Sequence, residues 1–207
     1  MKFPHNISRI EAFSDAVFAF AATLLVVSIG TDSTDSLIDI DFKLFTGFAI
    51  SFFVLVILWF LHYNFFRRTD YMDNVIISIN AVLLFVVLYY VFPLKSLINS
   101  WFQTQGMTPD RLAGIFELYG IGFALIFLCL SLMYYRAYKK SKNLENVMSL
   151  LFYVRHFGLF VLVAVISIIT AYLQIGINYG LPGILYALLG PFCSVHSYLF
   201  YKKYKTD

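Results

Sequence analysis

Arg9-Ile10-Glu11-Ala12-Phe13-Ser14-Asp15-Ala16-Val17-Phe18-Ala19-Phe20-Ala21-Ala22-Thr23-Leu24-Leu25-Val26-Val27-Ser28-Ile29 is the stretch whose reading decides the fold. It has the apolar body of a membrane-spanning helix, close to the length of about 20 residues that a bilayer requires. Yet it carries an arginine, a serine and an aspartate into or beside that body. A charged side chain at the centre of a membrane helix costs about 2.5–3.5 kcal/mol on insertion scales, and it is kept where it pairs or lines a watered path. The rest of the chain must therefore solvate or pair these groups.

At about 100° per residue, Arg9, Phe13, Ala16, Phe20, Leu24 and Val27 fall on one stripe, with Thr23 at its edge. Asp15, Ala12, Ala19 and Ala22 share a neighbouring face, and small residues at that spacing admit another helix closely. One side is thus expected to meet a tight neighbour and to supply Asp15. The other presents bulky apolar side chains one turn apart. Four copies of that stripe around an axis would stack into apolar rings, which is a pore constriction.

Working outward, the whole chain shares the character of this helix. Of its 207 residues 60% are hydrophobic, 19% aromatic and only 13% charged, with a mean hydropathy of +0.78. Soluble domains carry about 25% charged residues, so this is an integral membrane protein. No signal peptide is evident, because Met1-Lys2-Phe3-Pro4-His5 precedes the first apolar run and acidic residues follow it. Cys129 and Cys193 stand singly in apolar runs, which argues against a disulfide framework or a zinc site.

Six segments have spanning length: 9–29, 42–66, 75–97, 112–135, 151–175 and 181–201. Helices are expected for all of them, since a helix satisfies its own backbone in lipid. The expectation is a single all-α unit over residues 1–207. Basic residues gather at Lys2 and Arg9, at Arg67 and Arg68, at Arg136, Lys139, Lys140 and Lys142, and at Lys202, Lys203 and Lys205. The alternate connections hold only Lys43, Lys95 and Arg111 near their ends. By the charge-sidedness rule both termini are cytoplasmic.

The first outer loop contains Asp32, Asp35, Asp39 and Asp41 and no basic residue. Two readings stand: a rim that concentrates cations at an entrance, or an ordinary solvated loop. In the second span Trp59, His62 and Phe66 share a face, and His62 lies at a depth comparable to that of Asp15. A contact between Asp15 and His62 would give each buried polar group a partner. Asn80 in the third span sits at similar depth and is either a third member of that cluster or helix-to-helix glue. Pro93 suits a kink or a helix end, and Trp101 is read as an interface anchor in the third loop. The Gly/Pro-rich run 175–183 reads as a tight hairpin between the last two spans.

Catalytic signatures are missing. There is no phosphate-binding glycine loop, His-Glu-x-x-His, paired-cysteine motif or Gly-x-Ser-x-Gly elbow, and no enzyme activity or cofactor is expected. The Thr-Val-Gly-Tyr-Gly filter of potassium channels is absent as well. A secondary transporter is the alternative class. Internal repeats and helices broken at mid-membrane would mark one, whereas here glycine and proline are read as clustering at segment ends.

Three blocks together resemble the TMEM175-type family of potassium channels: Arg9-x-x-x-Phe13-Ser14-Asp15 with Thr23-Leu24-Leu25 after it, Trp59-x-x-His62-x-x-Phe65, and Asp70 followed by Asn80 and Pro93. They cover about the first half of the chain. The resemblance implies a six-span unit, tetrameric in bacterial members, that conducts K⁺ and related monovalent cations through a pore lined by the first helix. It implies a bacterial plasma membrane, and no metal beyond K⁺ in transit. The constriction would map onto Phe20, with Leu24 and Val27 further along and Thr23 as the adjacent hydroxyl. Arg9, Ser14 and Asp15, with His62 and Asn80, would form a buried polar network holding the helix. Two positions depart from the pattern: Phe20 stands where relatives carry Ile or Leu, and Tyr63 where a second histidine is common.

Overall fold

The computed structural model describes residues 7–30, 42–69, 71–102, 108–141 and 144–204. Among these residues every regular element is helical. Six segments are long and apolar enough to cross a membrane: Ile7–Val27, Phe45–Arg68, Asn74–Ile98, Pro109–Lys140, Val147–Tyr172 and Leu181–Tyr204. The chain divides into two compact units, Met1–Thr108 and Pro109–Asp207.

The first unit consists of α1 (Ile7–Gly30), α2 (Phe42–Arg68) and α3 (Asn74–Phe102), each packed on the other two. The buried side of α1 is Ser14, Phe18, Ala21 and Leu25, spaced four, three and four residues apart as one helix face requires. Ala21, with no exposed surface at all, removes the bulk that would hold the neighbours off. Leu55, Leu58 and Phe65 of α2 and Ile76, Leu83 and Val87 of α3 complete this core.

The α2–α3 link is set by side chains bonding to nearby backbone. The Tyr71 amide donates to Thr69 Oγ1 at 3.2 Å, and the Ile76 amide donates to Asp73 Oδ1 at 3.0 Å. The second bond satisfies one of the orphan donors at the start of α3. Arg67 and Arg68 close α2, where cations meet the negative end of the helix dipole. Pro93 does not end α3. It removes one backbone donor, is buried, and the helix continues to Phe102. Trp101, expected in a loop, therefore belongs to the last turn of α3.

The second unit is built on α4 (Pro109–Lys140) and α5 (Leu144–Tyr172). Their contacts run antiparallel: Gly120 meets Ile168, Phe127 meets Phe160 at 4.4 Å between ring centroids, and Tyr134 meets Tyr153 at 5.1 Å. At Gly120 a Cβ would lie 2.6 Å from Ile168 Cγ1, so the missing side chain is what permits this approach. Beyond α5 the chain turns through Gly176 and Gly180, both left-handed with φ of 61° and 66°, which glycine adopts without strain. The hairpin expected over 175–183 is this turn, tied down by Ser167 Oγ donating to the Pro182 carbonyl at 2.8 Å.

The sixth span is not one regular helix. A short α6 (Leu181–Ile184) runs into a 3₁₀ turn at Leu185–Leu188 and then α7 (Leu189–Tyr204). Gly190-Pro191 explains the change, since Pro191 cannot donate to the preceding turn. Glycine and proline thus lie inside this span and not only at segment ends. Cys129 is buried and Cys193 half-buried, and both are free thiols.

Candidate functional site

Within the first unit α1 presents three faces, roughly 120° apart at 100° per residue. The first carries Ser14, Phe18, Ala21 and Leu25 into the core. The second, with Asp15, Ala19 and Ala22, lines a cleft of about 340 Å³ opposite Phe52, Leu55, Val56 and Trp59 of α2. The small-residue face expected to admit a close neighbour is thus the wall of an open cleft. The tight approach occurs one face over, at Ala21. The third face carries Phe13, Phe20 and Val27, 63%, 56% and 60% exposed on the single chain. Thr23 is exposed on this side and Leu24 half-buried.

A chain of hydrogen bonds fixes the first face. His62 Nε2 donates to Asn80 Oδ1 at 2.7 Å, Asn80 Nδ2 donates to Ser14 Oγ at 3.1 Å, and Ser14 Oγ donates to the Ile10 carbonyl at 2.8 Å. One side chain from each helix takes part, and all three are buried. Each donor points the same way along the chain, which places a proton on His62 Nε2. Nδ1 of that ring has no hydrogen-bond partner among the described residues. The imidazole is packed by Phe18 and Phe66, with centroids at 5.4 and 4.9 Å. Such a polar triangle inside an apolar bundle admits few arrangements, because each rearrangement strands a donor.

Asp15 is bonded elsewhere. Its Oδ1 accepts from Trp59 Nε1 at 2.8 Å, so the carboxylate anticipated beside His62 is held by an indole. The physical reason is angular: Ser14 and Asp15 are adjacent in sequence and project about 100° apart, so Ser14 faces α3 while Asp15 faces the cleft. Trp59 was the member of this site that depth matching missed. An indole N–H buried in an apolar span demands an acceptor, and that was the available signal. Tyr63, standing where a histidine is common, stacks on Trp59 at 5.7 Å and carries the Arg67 guanidinium 5.7 Å from its ring centre.

Arg9 is exposed near the start of α1. Thr23 Oγ1 donates to the Ala19 carbonyl at 3.0 Å, which leaves its lone pairs outward on the exposed face. Asp32, Asp35, Asp39 and Asp41 lie outside the described residues. No group of three or more His, Cys, Asp or Glu side chains able to hold a metal ion comes together among the described residues.

Comparison with known proteins places this site. The family model described as endosomal/lysosomal potassium channel TMEM175 matches residues 9–91, the segment that holds the polar cluster and the exposed face of α1. A protein named potassium channel from Marivirga tractuosa is 37% identical over 153 residues, covering 67% of this chain and 62% of that protein. A potassium channel from Chamaesiphon minutus is 27% identical over 149 residues, covering 68% of each. The matches span about three fifths of the length of the first two curated relatives, 62% and 61%. Among solved structures, a variant of the potassium channel MtTMEM175, in complex with a nanobody–MBP fusion, superposes with a TM-score of 0.75 at 32% identity. It covers 94% of this chain and 93% of that one. The TMEM175 homologue from Chamaesiphon minutus, described as a lysosomal potassium-selective channel homologue, shares the fold with a TM-score of 0.58 at 23% identity, covering 88% of this chain and 97% of that one.

Proposed function

The chain belongs to the TMEM175 family, and from that premise we propose that it is a homotetrameric channel passing K⁺ and related monovalent cations along α1. The family is one of ion channels and not of enzymes. The observation that carries the reading is the third face of α1: Phe20 and Val27 are more than half exposed, while Ser14 and Asp15 on the other two faces accept hydrogen bonds from α3 and α2.

Four copies around an axis would close Phe20 into an aromatic ring, with Leu24 and Val27 one and two turns further along. Hydrophobic rings of this kind gate by dewetting. Thr23, beside Phe20, offers the stripe a hydroxyl oxygen whose own proton is already committed to Ala19. It is the group on this face able to replace part of an ion's hydration shell. The polar triangle has a mechanical role in this scheme. Turning α1 by one residue, about 100°, would pull Ser14 off Asn80 and move Phe20 out of line. Ser14, His62 and Asn80 therefore lock the rotation of α1, and Trp59 does the same through Asp15. Both termini face the cytoplasm, on the placement of Lys and Arg, and the bacterial relatives point to a plasma membrane.

The test is K⁺ flux from liposomes carrying the purified protein. Phe20→Ala widens the ring and raises leak; Leu24→Asn alters the ratio of K⁺ to Na⁺ flux. Flux indifferent to both changes removes the stripe from the conduction path.

A further inference from the structure

We propose that a cleft between the start of α5 and the end of α7 is a binding site for an anionic phospholipid, its phosphate held at the rim and its acyl chains along the aromatic floor. The cleft measures about 670 Å³ and is lined by Met148, Ser149, Phe152, Tyr153, Phe200, Tyr201 and Tyr204. Its volume lies in the range of small-molecule sites, roughly 300–1,000 Å³. The lining is apolar over most of its area but carries hydroxyls of one serine and three tyrosines, and among the described residues no acidic side chain lines it.

Two cations stand over rings that form the walls. The Arg155 guanidinium lies 6.0 Å from the centre of Phe200 and the Lys203 ammonium 5.7 Å from that of Tyr204. Position completes the argument. Residues 148–153 open the fifth span and 200–204 close the sixth, so the cleft sits at a membrane–water boundary, where lipid phosphates are. Basic pockets between helices at that level recognise anionic head groups. A zwitterionic lipid brings its own cation to the rim and gains less.

The experiment measures retention of fluorescent phosphatidylglycerol and of fluorescent phosphatidylcholine by the purified full-length protein in detergent. The protein is expected to prefer phosphatidylglycerol, and each of Arg155→Gln and Lys203→Gln to lower that preference about fivefold. Ser149→Phe narrows the cleft without changing charge and should reduce retention of phosphatidylglycerol as well. Glycerol phosphate, which shares the phosphate and lacks the chains, should compete poorly. The control pair Lys139→Gln and Lys140→Gln, exposed at the end of α4, should leave the preference intact. Equal retention of the two lipids overturns the proposal. So does a control pair as damaging as the cleft variants, effective competition by glycerol phosphate, or retention unmoved by Ser149→Phe. Size-exclusion profiles matching the parent show that each variant still folds.

Discussion

Asn80→Leu removes the middle of the polar triangle while keeping the same branched heavy-atom outline, and its cost follows from the bonds that are lost. Asn80 is 3% exposed and makes two side-chain hydrogen bonds, to His62 Nε2 and Ser14 Oγ. Interhelical bonds in membranes average about 0.6 kcal/mol each, so their direct loss is about 1 kcal/mol. The larger consequence is the His62 Nε2 proton, left buried without an acceptor at a cost of about 1–3 kcal/mol. Ser14 is not stranded, because it still donates to the Ile10 carbonyl. The sum is roughly 2–4 kcal/mol, and at about 2–4 °C per kcal/mol for a chain of this size the apparent Tm should fall by about 4–16 °C. Removing the stranded donor should recover part of the loss. His62→Phe keeps a ring against Phe18 and Phe66, so the double variant His62→Phe/Asn80→Leu should be more stable than Asn80→Leu alone. Thermal denaturation followed by size-exclusion chromatography in one detergent measures all three variants. An Asn80→Leu protein with unchanged Tm refutes the reasoning, as does a double variant whose loss equals the sum of the two single losses.

Trp59→Phe deletes the donor to Asp15 Oδ1 while keeping the ring; a destabilisation of about 1–2 kcal/mol is expected in the same assay. Asp15→Asn, which retains an oxygen to accept that bond, should be milder than Asp15→Leu. Gly120→Ala forces a Cβ to within 2.6 Å of Ile168 Cγ1 and should cost about 1–3 kcal/mol. Gly114→Ala on the same helix meets nothing within 4 Å and should leave the Tm unchanged or raised, by the helix preference of alanine of up to about 1 kcal/mol. Thr23→Val conserves shape but removes the outward oxygen; K⁺ and Na⁺ flux ratios should converge, while Thr23→Ser keeps them apart.

The six spans were legible because lipid demands long apolar runs, and hydropathy reads these directly. The polar cluster was partly legible: depth matching grouped His62 and Asn80 with Asp15, and Ser14 joined them only through the family resemblance. Pairing within the cluster was not legible from depth alone. Asp15 and Ser14 differ by one residue and about 100°, and only the packing of α1 shows which of them meets α3. Trp59 was placed on the face of His62 but given no partner, because its indole N–H was not counted as a donor that needs an acceptor. Likewise Pro93 and Pro191 carry the same local chemistry with different outcomes. The first sits inside a continuous helix, and the second, next to Gly190, follows a 3₁₀ turn. The exposed stripe of α1 was visible as a pattern, yet its exposure is a property of the folded unit.

Thiol accessibility tests most directly whether that stripe lines a pore. In a protein with Cys129→Ala and Cys193→Ser, single cysteines replace Phe20, Thr23 and Val27 in turn, and Val26 as the comparison. Val26 is 55% exposed, close to the 60% of Val27, but lies about 100° away around the helix. A charged, membrane-impermeant thiol reagent should block K⁺ flux through the variants at 20, 23 and 27 and leave the variant at 26 conducting. Block at 26 alone, or at none of the four, contradicts a pore lined by this face of α1.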